Sequence, residues 1–423
     1  MAEQQTTTVP PAPADAQDSI PAGFRPYESP YLENPIPFFA RARQEQPVFF
    51  SPMMNMWVVT RYDDLVTVLK DPQRFSSRNW LSSSAGLSPA TLQILKGTMF
   101  DSASGGLVMA DPPDHTRLRR ALTGAFSARL VAQLEDQIRT LSGKLIDNFP
   151  SQDPVDFVEH FGRILPVQVL CRLVGIPDAD ANWIRKSCDE VEVLFIQTLP
   201  EDQQQAGAHT YMALFNYLGN ILDQRQISPR DDLATAFQNS GQDKLTRAEF
   251  IELLITLLTA GIGTSTHFLP ACLLLLLQQG DWANLDTSPA HLGQIVDEAL
   301  RLVSPIQGLF RVTTQEVQLG GVTVPAGSLI YGIVASANRD EQYFPNPDGL
   351  DLQRAKTANH MVFGHGIHHC VGAPVVKLEA RVALEVLHER FPDLRIATNH
   401  PPLRYLPGLL LRGMEQLFIE RGA

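Results

Sequence analysis

The sequence predicts a mainly α fold with a small β portion, and three observations carry that expectation. Apolar residues recur at helical spacing through most of the 423 residues. Strand-like alternation gathers in one late stretch, "EVQLGGVTVPAGSLIYGIVASANRD". Strands and helices do not alternate in the βαβ manner of a parallel sheet. Nothing resembles an interdomain linker, so residues 23–423 are expected to form a single domain. Residues 1–22 are polar and rich in Pro and Ala, the composition of a disordered leader.

The elements follow in order. "PIPFFARARQEQPVFF" reads as an amphipathic helix leading towards a sheet, and "MWVVTRYDDLVTVLKDPQRFS" as a short strand and a helix closed near Asp71-Pro72. Residues 78–108 form a Ser/Gly-rich loop region with apolar insertions, and a segment of that length is usually functional. "ARLVAQLEDQIRTLSGKLIDNF" is one strongly amphipathic helix, and "LPVQVLCRLVGIP" is a buried helix ending at Gly175. Residues 178–226 give two helices joined by the polar "PEDQQQAG". A long helix at 247–277 and another through Glu298 and Arg301 precede the strands. A helix follows Cys370, and short strands close the chain.

Bulk properties exclude several classes. A net charge of -12 disfavours nucleic acid and anionic membranes as partners. The four cysteines (Cys171, Cys188, Cys272, Cys370) form no CxxC pair, which suits a reducing, cytoplasmic setting and no iron–sulfur cluster. Ile251 to Leu277 is long enough to cross a bilayer, with only Glu252 and His267 as strongly polar ionisable groups. Its central Gly-Ile-Gly-Thr-Ser-Thr-His and its lack of basic flanks point instead to the central helix of a large core, with no membrane involved.

The densest chemistry is "FGHGIHHCVGAP", Phe363 to Pro374. Zinc is the plain reading of three histidines beside a cysteine. Consecutive His368, His369 and Cys370 cannot all converge on one atom, however, and no second cluster offers further ligands. "CVGAPVVKLEARVALEVLHERF" is a good amphipathic helix with Pro374 near its first turn, so Cys370 sits at a helix N-terminus. Free amides and the helix dipole there stabilise a thiolate and depress its pKa. Gly364, Gly366 and Gly372 clear the approach, so a flat metal cofactor fits. A thiolate presented this way describes an axial haem ligand; a nucleophilic cysteine is the rival.

"FGHGIHHCVG" resembles the haem-binding loop of the cytochromes P-450, F-x-x-G-x-H-x-C-x-G. "EALR" (Glu298, Arg301) resembles the family's E-x-x-R ion pair, and "AGIGTS" (Ala260 to Ser265) its oxygen-binding stretch. "DPPDHTRLRRALTGAFS" is similar to the helix that clamps the haem propionates in bacterial members. "ANRDEQYFPNPDGLDLQR" resembles the stretch before the haem loop. The likeness runs from about residue 30 to the end. It implies the cytochrome P-450 fold, with heme b (iron protoporphyrin IX) between the long central helix and the helix after the cysteine loop. It implies Cys370 as the iron ligand, and His115, Arg119, Arg311 and His368 as propionate partners. Phe363 packs near the sulfur, and Ala260, Gly261, Gly364, Gly366 and Gly372 lie against the porphyrin. His365 and His369 are bystanders.

The resemblance implies a catalytic stretch at Gly263, Thr264 and Ser265, with one departure. An acidic residue usually precedes the threonine, and here the position is Gly263. The nearest acid along the helix is Glu252, about three turns away. Pro270 is expected to kink the helix just past the site. Two reactions stay open: hydroxylation or epoxidation with O2 and two electrons, or peroxide-driven, dehydrogenating, coupling or rearranging chemistry. A non-enzymatic haem sensor and a zinc protein are the competing classes.

Family resemblance places substrate contacts at Trp80, Leu81, Leu107, Val108, Phe195, Ile306, Gln307, Leu309 and Leu409, with Asn79 as a further polar contact. That lining implies a mainly apolar organic substrate of the kind met in secondary metabolism. The chain has no flavin fingerprint, so a ferredoxin or flavodoxin with its reductase is implied, with NAD(P)H acting only indirectly. Arg117, Arg120, Lys377 and Arg381 are a candidate docking patch.

Overall fold

The computed structural model describes residues 19–78, 86–101, 105–152, 154–195, 199–239, 245–354 and 359–422. Most described residues are helical, and three small sheets complete the fold. Ordered packing begins inside the expected leader: Ile20–Gly23 is a helical turn, and Ile20 and Phe24 are buried. Phe24 meets Tyr31, Phe38 and Phe49 in an aromatic cluster against the largest sheet.

That sheet has five strands in the order Val48–Ser51, Met56–Val59, Leu329–Gly332, Leu309–Thr313, Phe75–Ser76. Only the second pairing is parallel, Trp57 opposite Ile330. The Gly320-Gly321 turn is a hairpin, with both residues at positive φ, between Val317–Leu319 and Val322–Val324. "VASA", read with the strands, is instead a helical turn, Val334–Ala337, because its amides return to carbonyls three and four residues back.

The central helix runs from Arg247 to Gln279. A capping box starts it, with Thr246 and Glu249 each accepting the other's backbone amide, and left-handed Gly280 ends it. It has the length and apolar composition of a membrane-crossing helix. Its apolar surface is buried against the helices Leu165–Val174, Glu201–Ile227 and Pro289–Val303. The helix assignment runs unbroken through Pro270, where a kink was expected. Gly162 explains the fit: a β-carbon there would come within 2.7 Å of the Pro270 ring. The missing side chain lets the neighbouring turn close over the proline.

Two helix boundaries differ from expectation. Residues 128–147 form two helices, Ala128–Ala132 and Leu134–Asp147, hinged at Gln133. "PEDQQQAG" is not a joint; it opens the helix Glu201–Ile227, where Glu201 and Asp202 favour the positive dipole end. The junction lies earlier, between Val191 and Pro200.

The segment leading to the cysteine loop hangs on one buried ion pair. Arg301 grips Glu298 through two hydrogen bonds of 2.6 and 2.9 Å, and both side chains are fully buried. Arg301 also donates to the carbonyls of Asn338, Pro347 and Gly349, while Arg354 binds Glu298 at 3.0 Å. Burial pushes the Glu298 carboxyl up, but its bonds to Arg301 and Arg354 win and hold it below the usual range. Asn338 carries the connection onward, because its Oδ1 accepts the Met361 amide at 2.7 Å.

Glu379, on the helix Ala373–Arg390, is a buried acid left without compensation. Its Oε1 has no hydrogen-bond partner, and burial pushes its pKa up to about 8. Between about 4.5 and about 8 the folded protein therefore holds a proton that the unfolded chain releases. Stability falls as pH rises through that window and then stays level. Glu379→Gln is expected to gain stability over wild type as pH rises from 5 to 8.5, by on the order of a few kcal/mol. Thermal melts of the haem-loaded protein at the two pH values check it; equal differences at both would contradict the assignment.

Candidate functional site

Cys370 lies where the loop Phe363–His369 feeds the helix Ala373–Arg390. Its amide donates to the Phe363 carbonyl at 2.8 Å, and the Gly364 amide donates to Met361 at 2.8 Å, closing a compact loop. Gly366 is required twice over. Its φ is +70°, and a β-carbon would approach the Leu69 carbonyl to 2.5 Å. That packs Gly366 against the helix Tyr62–Lys70, so it shapes the loop from behind. Gly372 lies beside the thiol, 3.6 Å from Sγ at its β-carbon position, and Gly364 faces Leu309.

The helix N-terminus does act on Cys370, through the amides of Gly372 and Ala373. The depressed pKa expected from it is not the net outcome. Burial pushes the thiol up, and those amides together with Arg119 only partly offset it. A cation at the sulfur would complete the balance, because a thiolate coordinates where a buried thiol is inert. Among the described residues no three His, Cys, Asp or Glu side chains converge as a metal cluster. His369 is exposed and His365 half-buried, neither gathered with the cysteine.

Across the cleft, the helix Asp114–Ala125 brings His115 and Arg119, and the strand Leu309–Thr313 brings Arg311. Strand alternation puts Leu309 and Arg311 on one face. Arg311 is buried, its pKa lowered to about 10 by burial, with Asp111 the one opposing charge. Arg119 is lowered by burial and raised by Cys370. Among the described residues neither arginine is in an ion pair, and the buried Nε2 of His115 has no partner. A buried arginine, a half-buried one and an orphaned ring nitrogen beside a thiol form an incomplete site. The residues present fit haem: Arg119 and Arg311 would hold its two propionates, and Cys370 would ligate its iron.

His368 joins this group through Ser77, whose hydroxyl is 3.0 Å from Nε2, and its ring lies 4.2 Å from that of His115. Burial first, then Arg311, His115 and Arg119, lower its pKa to about 3. His368 is thus neutral here, a hydrogen-bonding partner and not a cation.

On the central helix, Ala260, Gly263 and Thr264 lie on the side that is not buried, whereas Ser265 is buried. Gly261 also departs from its expected place. A β-carbon there would come within 2.7 Å of Leu170, so the glycine makes room for the helix Leu165–Val174 and not for a porphyrin. Thr264 donates its hydroxyl proton to the Ala260 carbonyl at 2.9 Å, leaving oxygen lone pairs outward. Glu252 is not a substitute for the missing acid. Its carboxylate, raised to about 7 by burial, is engaged by the Tyr211 hydroxyl and the Met99 amide.

The expected substrate residues divide. Trp80 and Leu81, with Asn79, lie outside the described residues. Leu309 and Phe195 are half-buried; Phe195 packs on Phe100, and Leu309 borders Gly364. Leu107 is buried, and Val108 is exposed. Ile306 bridges to Leu411. Gln307 donates one amide N–H to the Ser304 carbonyl at 2.6 Å, the Leu409 carbonyl accepts from Tyr331, and both residues line a cavity that Leu411 and Tyr331 also border. Leu411, missed in the sequence, faces Gly263 at 3.5 Å from its β-carbon position. Of the docking patch, Arg117, Lys377 and Arg381 are tied to Glu249, Asp297 and Glu135 at 2.5, 2.7 and 2.8 Å.

Arg311→Met should hasten haem loss about tenfold or more, the value of a charge-assisted bond of roughly 1.5–3 kcal/mol. Transfer of haem to an acceptor apoglobin measures it; an unchanged rate would remove Arg311 from the site.

Comparison with known proteins completes the site. The family model described as Cytochrome P-450 matches residues 291–413. The chain is 34% identical over 400 residues to cytochrome P-450 107B1 of Saccharopolyspora erythraea, covering 91% of this chain and 94% of that one. It is 35% identical over 371 residues to mycinamicin IV hydroxylase/epoxidase of Micromonospora griseorubida, covering 85% and 88%. Among solved structures, cytochrome P-450 CREJ in complex with (4-ethylphenyl) dihydrogen phosphate superposes with a TM-score of 0.85 at 28% identity, covering 95% and 99%.

Proposed function

The chain belongs to the cytochrome P-450 family, a haem b enzyme family, and on that premise we propose that it hydroxylates or epoxidises a mainly apolar organic molecule. Haem, when bound, supplies the activation of O2 and the insertion of one oxygen atom into substrate. The two electrons come from NAD(P)H through a separate ferredoxin or flavodoxin with its reductase.

The single observation that carries the reading is the incomplete site itself: a half-buried thiol at a helix N-terminus, facing Arg311, which is buried, and Arg119, which is half-buried, neither in an ion pair among the described residues. On this reading Cys370 is the iron ligand, supported by its place in the loop and by the amides of Gly372 and Ala373. Arg119 and Arg311 hold the propionates by charge, and His115 and His368 by hydrogen bonding. Phe363 shields the sulfur side; Lys377 lies 5.7 Å from its ring centre. The apolar lining by Phe195, Leu309 and Leu411 excludes water and favours an apolar substrate. The likeness to mycinamicin IV hydroxylase/epoxidase supports a natural-product substrate class, and so a place in secondary metabolism.

Thr264 supports oxygen insertion over peroxide-driven or coupling chemistry. Its hydroxyl lies on the open side of the central helix, where it can accept and pass a proton. Thr264→Ala should divert electrons from product to hydrogen peroxide, lowering coupling about tenfold or more. Product formed per NAD(P)H, in wild type and variant, measures it; intact coupling would favour the second chemistry. Reduced wild type with carbon monoxide should show the red-shifted Soret band of a thiolate-ligated haem, and Cys370→His should lose the shift.

A further inference from the structure

Gly263 lacks the carboxylate that its place before Thr264 calls for, and the fold delivers one from elsewhere. A β-carbon at Gly263 would lie 3.6 Å from Oε1 of Glu192. Glu192 opens the turn Glu192–Phe195, directly after the helix Ala181–Val191, which packs on the central helix. The two residues are 71 positions apart, so no reading along the central helix finds the acid.

We propose that Glu192 is the proton-delivering acid of this enzyme, standing in trans for the side chain that Gly263 lacks. Four observations support it. The carboxylate occupies the space beside Gly263 that an acid in that position would enter. Among the described residues it has no ion-pair or hydrogen-bonding partner, unlike Glu252, whose carboxylate is spent on Tyr211 and Met99. Leu411 closes in at 3.5 Å from the same β-carbon position, so the acid meets the helix beside an apolar wall. Glu192 is also reachable from outside, as a group that must be re-protonated has to be, and what burial it has, with Asp189 second, moves its pKa up, the direction a proton donor needs.

The step balances as follows. The O–H bond of the Glu192 carboxyl breaks as one forms on the Thr264 oxygen, directly or through one water. Thr264 releases its original proton into the cleft, where dioxygen is being reduced. Solvent returns a proton to Glu192, so the protein ends unchanged, and the electrons come from the redox partner. Gly263 has a positive role in this scheme, because a larger residue there would compete with the carboxylate for space.

The inference rests on the oxygen-inserting reading above. The experiment compares wild type, Glu192→Gln, Glu192→Asp and the double variant Glu192→Ala/Gly263→Glu, all haem-loaded and driven by NAD(P)H with one ferredoxin and reductase pair. In Glu192→Gln, product per NAD(P)H should fall about tenfold or more while hydrogen peroxide rises. Its spin-state titration with substrate should stay within about twofold of wild type, since the amide keeps the shape. Glu192→Asp should retain part of the coupling. The double variant should recover coupling that Glu192→Ala alone loses, because the acid is restored on the helix itself. Independently of turnover, the wild-type-minus-Gln infrared difference should show a protonated carboxyl band that shifts in deuterium oxide. Full coupling in Glu192→Gln overturns the proposal, as does absence of that band. Loss of substrate binding instead of coupling overturns it in favour of a recognition role. A wild type that turns over with peroxide but not with O2 and electrons overturns the functional reading, and the relay with it.

Discussion

Everything proximal in this molecule depends on Arg301. A lone buried guanidinium would be costly, and so would a lone buried carboxylate. Arg301 has Glu298 on one side and three backbone carbonyls on the other, so every strong donor direction is used. The consequence is positional. The carbonyls it binds belong to Asn338, Pro347 and Gly349, which fixes the irregular segment after the large sheet. Asn338 then takes the Met361 amide on its side chain, Met361 takes the Gly364 amide, and Phe363 takes the amide of Cys370. An ion pair on one helix thereby sets where the sulfur stands. If Cys370 ligates iron as proposed, its loop needs a backbone fixed by packed elements, and this chain of bonds would be that support.

The opposite logic governs the other side of the cleft. Arg119, Arg311, His115 and His368 crowd together with Asp111 as the one opposing acid, and Asp111 is already bonded by Ser76 and Ser77, which is unfavourable unless an anion arrives. His368 meets this with a pKa lowered to about 3, and burial lowers that of His115 as well. Guanidinium groups do not give up the proton near neutrality, so the arginines retain the charge. On the proposed reading the cluster is a binding device whose strain a dianionic edge would relieve. Stability given up by the apoprotein would then return as affinity, coupling haem binding to folding.

How much of this was legible in the sequence follows from how local each signal is. The mainly α class, the long central helix and the Cys370 loop were legible, because periodicity, caps and glycines are encoded within a few residues of one another. So was the pairing of Glu298 with Arg301, which needs only i,i+3 spacing on a helix. What failed was tertiary. Gly261 and Gly366 looked like clearance for a porphyrin, yet one makes room for Leu170 and the other for the Leu69 carbonyl. A depressed thiol pKa followed from the helix dipole alone, whereas the actual balance includes burial, which no spacing reveals. The close packing at Pro270 was hidden for the same reason, since its partner Gly162 lies over a hundred positions away.

The sharpest case is the acid before Thr264. In a helix, neighbours at i and i+1 diverge by about 100°, so an acid and a hydroxyl on one helix hold a fixed mutual geometry. Moving the acid to Glu192 replaces that with a geometry set by packing of the helix Ala181–Val191 and the Leu411 loop against the central helix. If Phe195 and Leu411 border the substrate as proposed, proton supply depends on elements that the substrate also touches. A substrate that seats them correctly would then also seat the acid, whereas one that displaces them would separate acid from hydroxyl. Selectivity in such an arrangement is exercised at proton delivery as well as at binding. The absence that looked like a weakened catalytic helix is then the space that lets a second element take part.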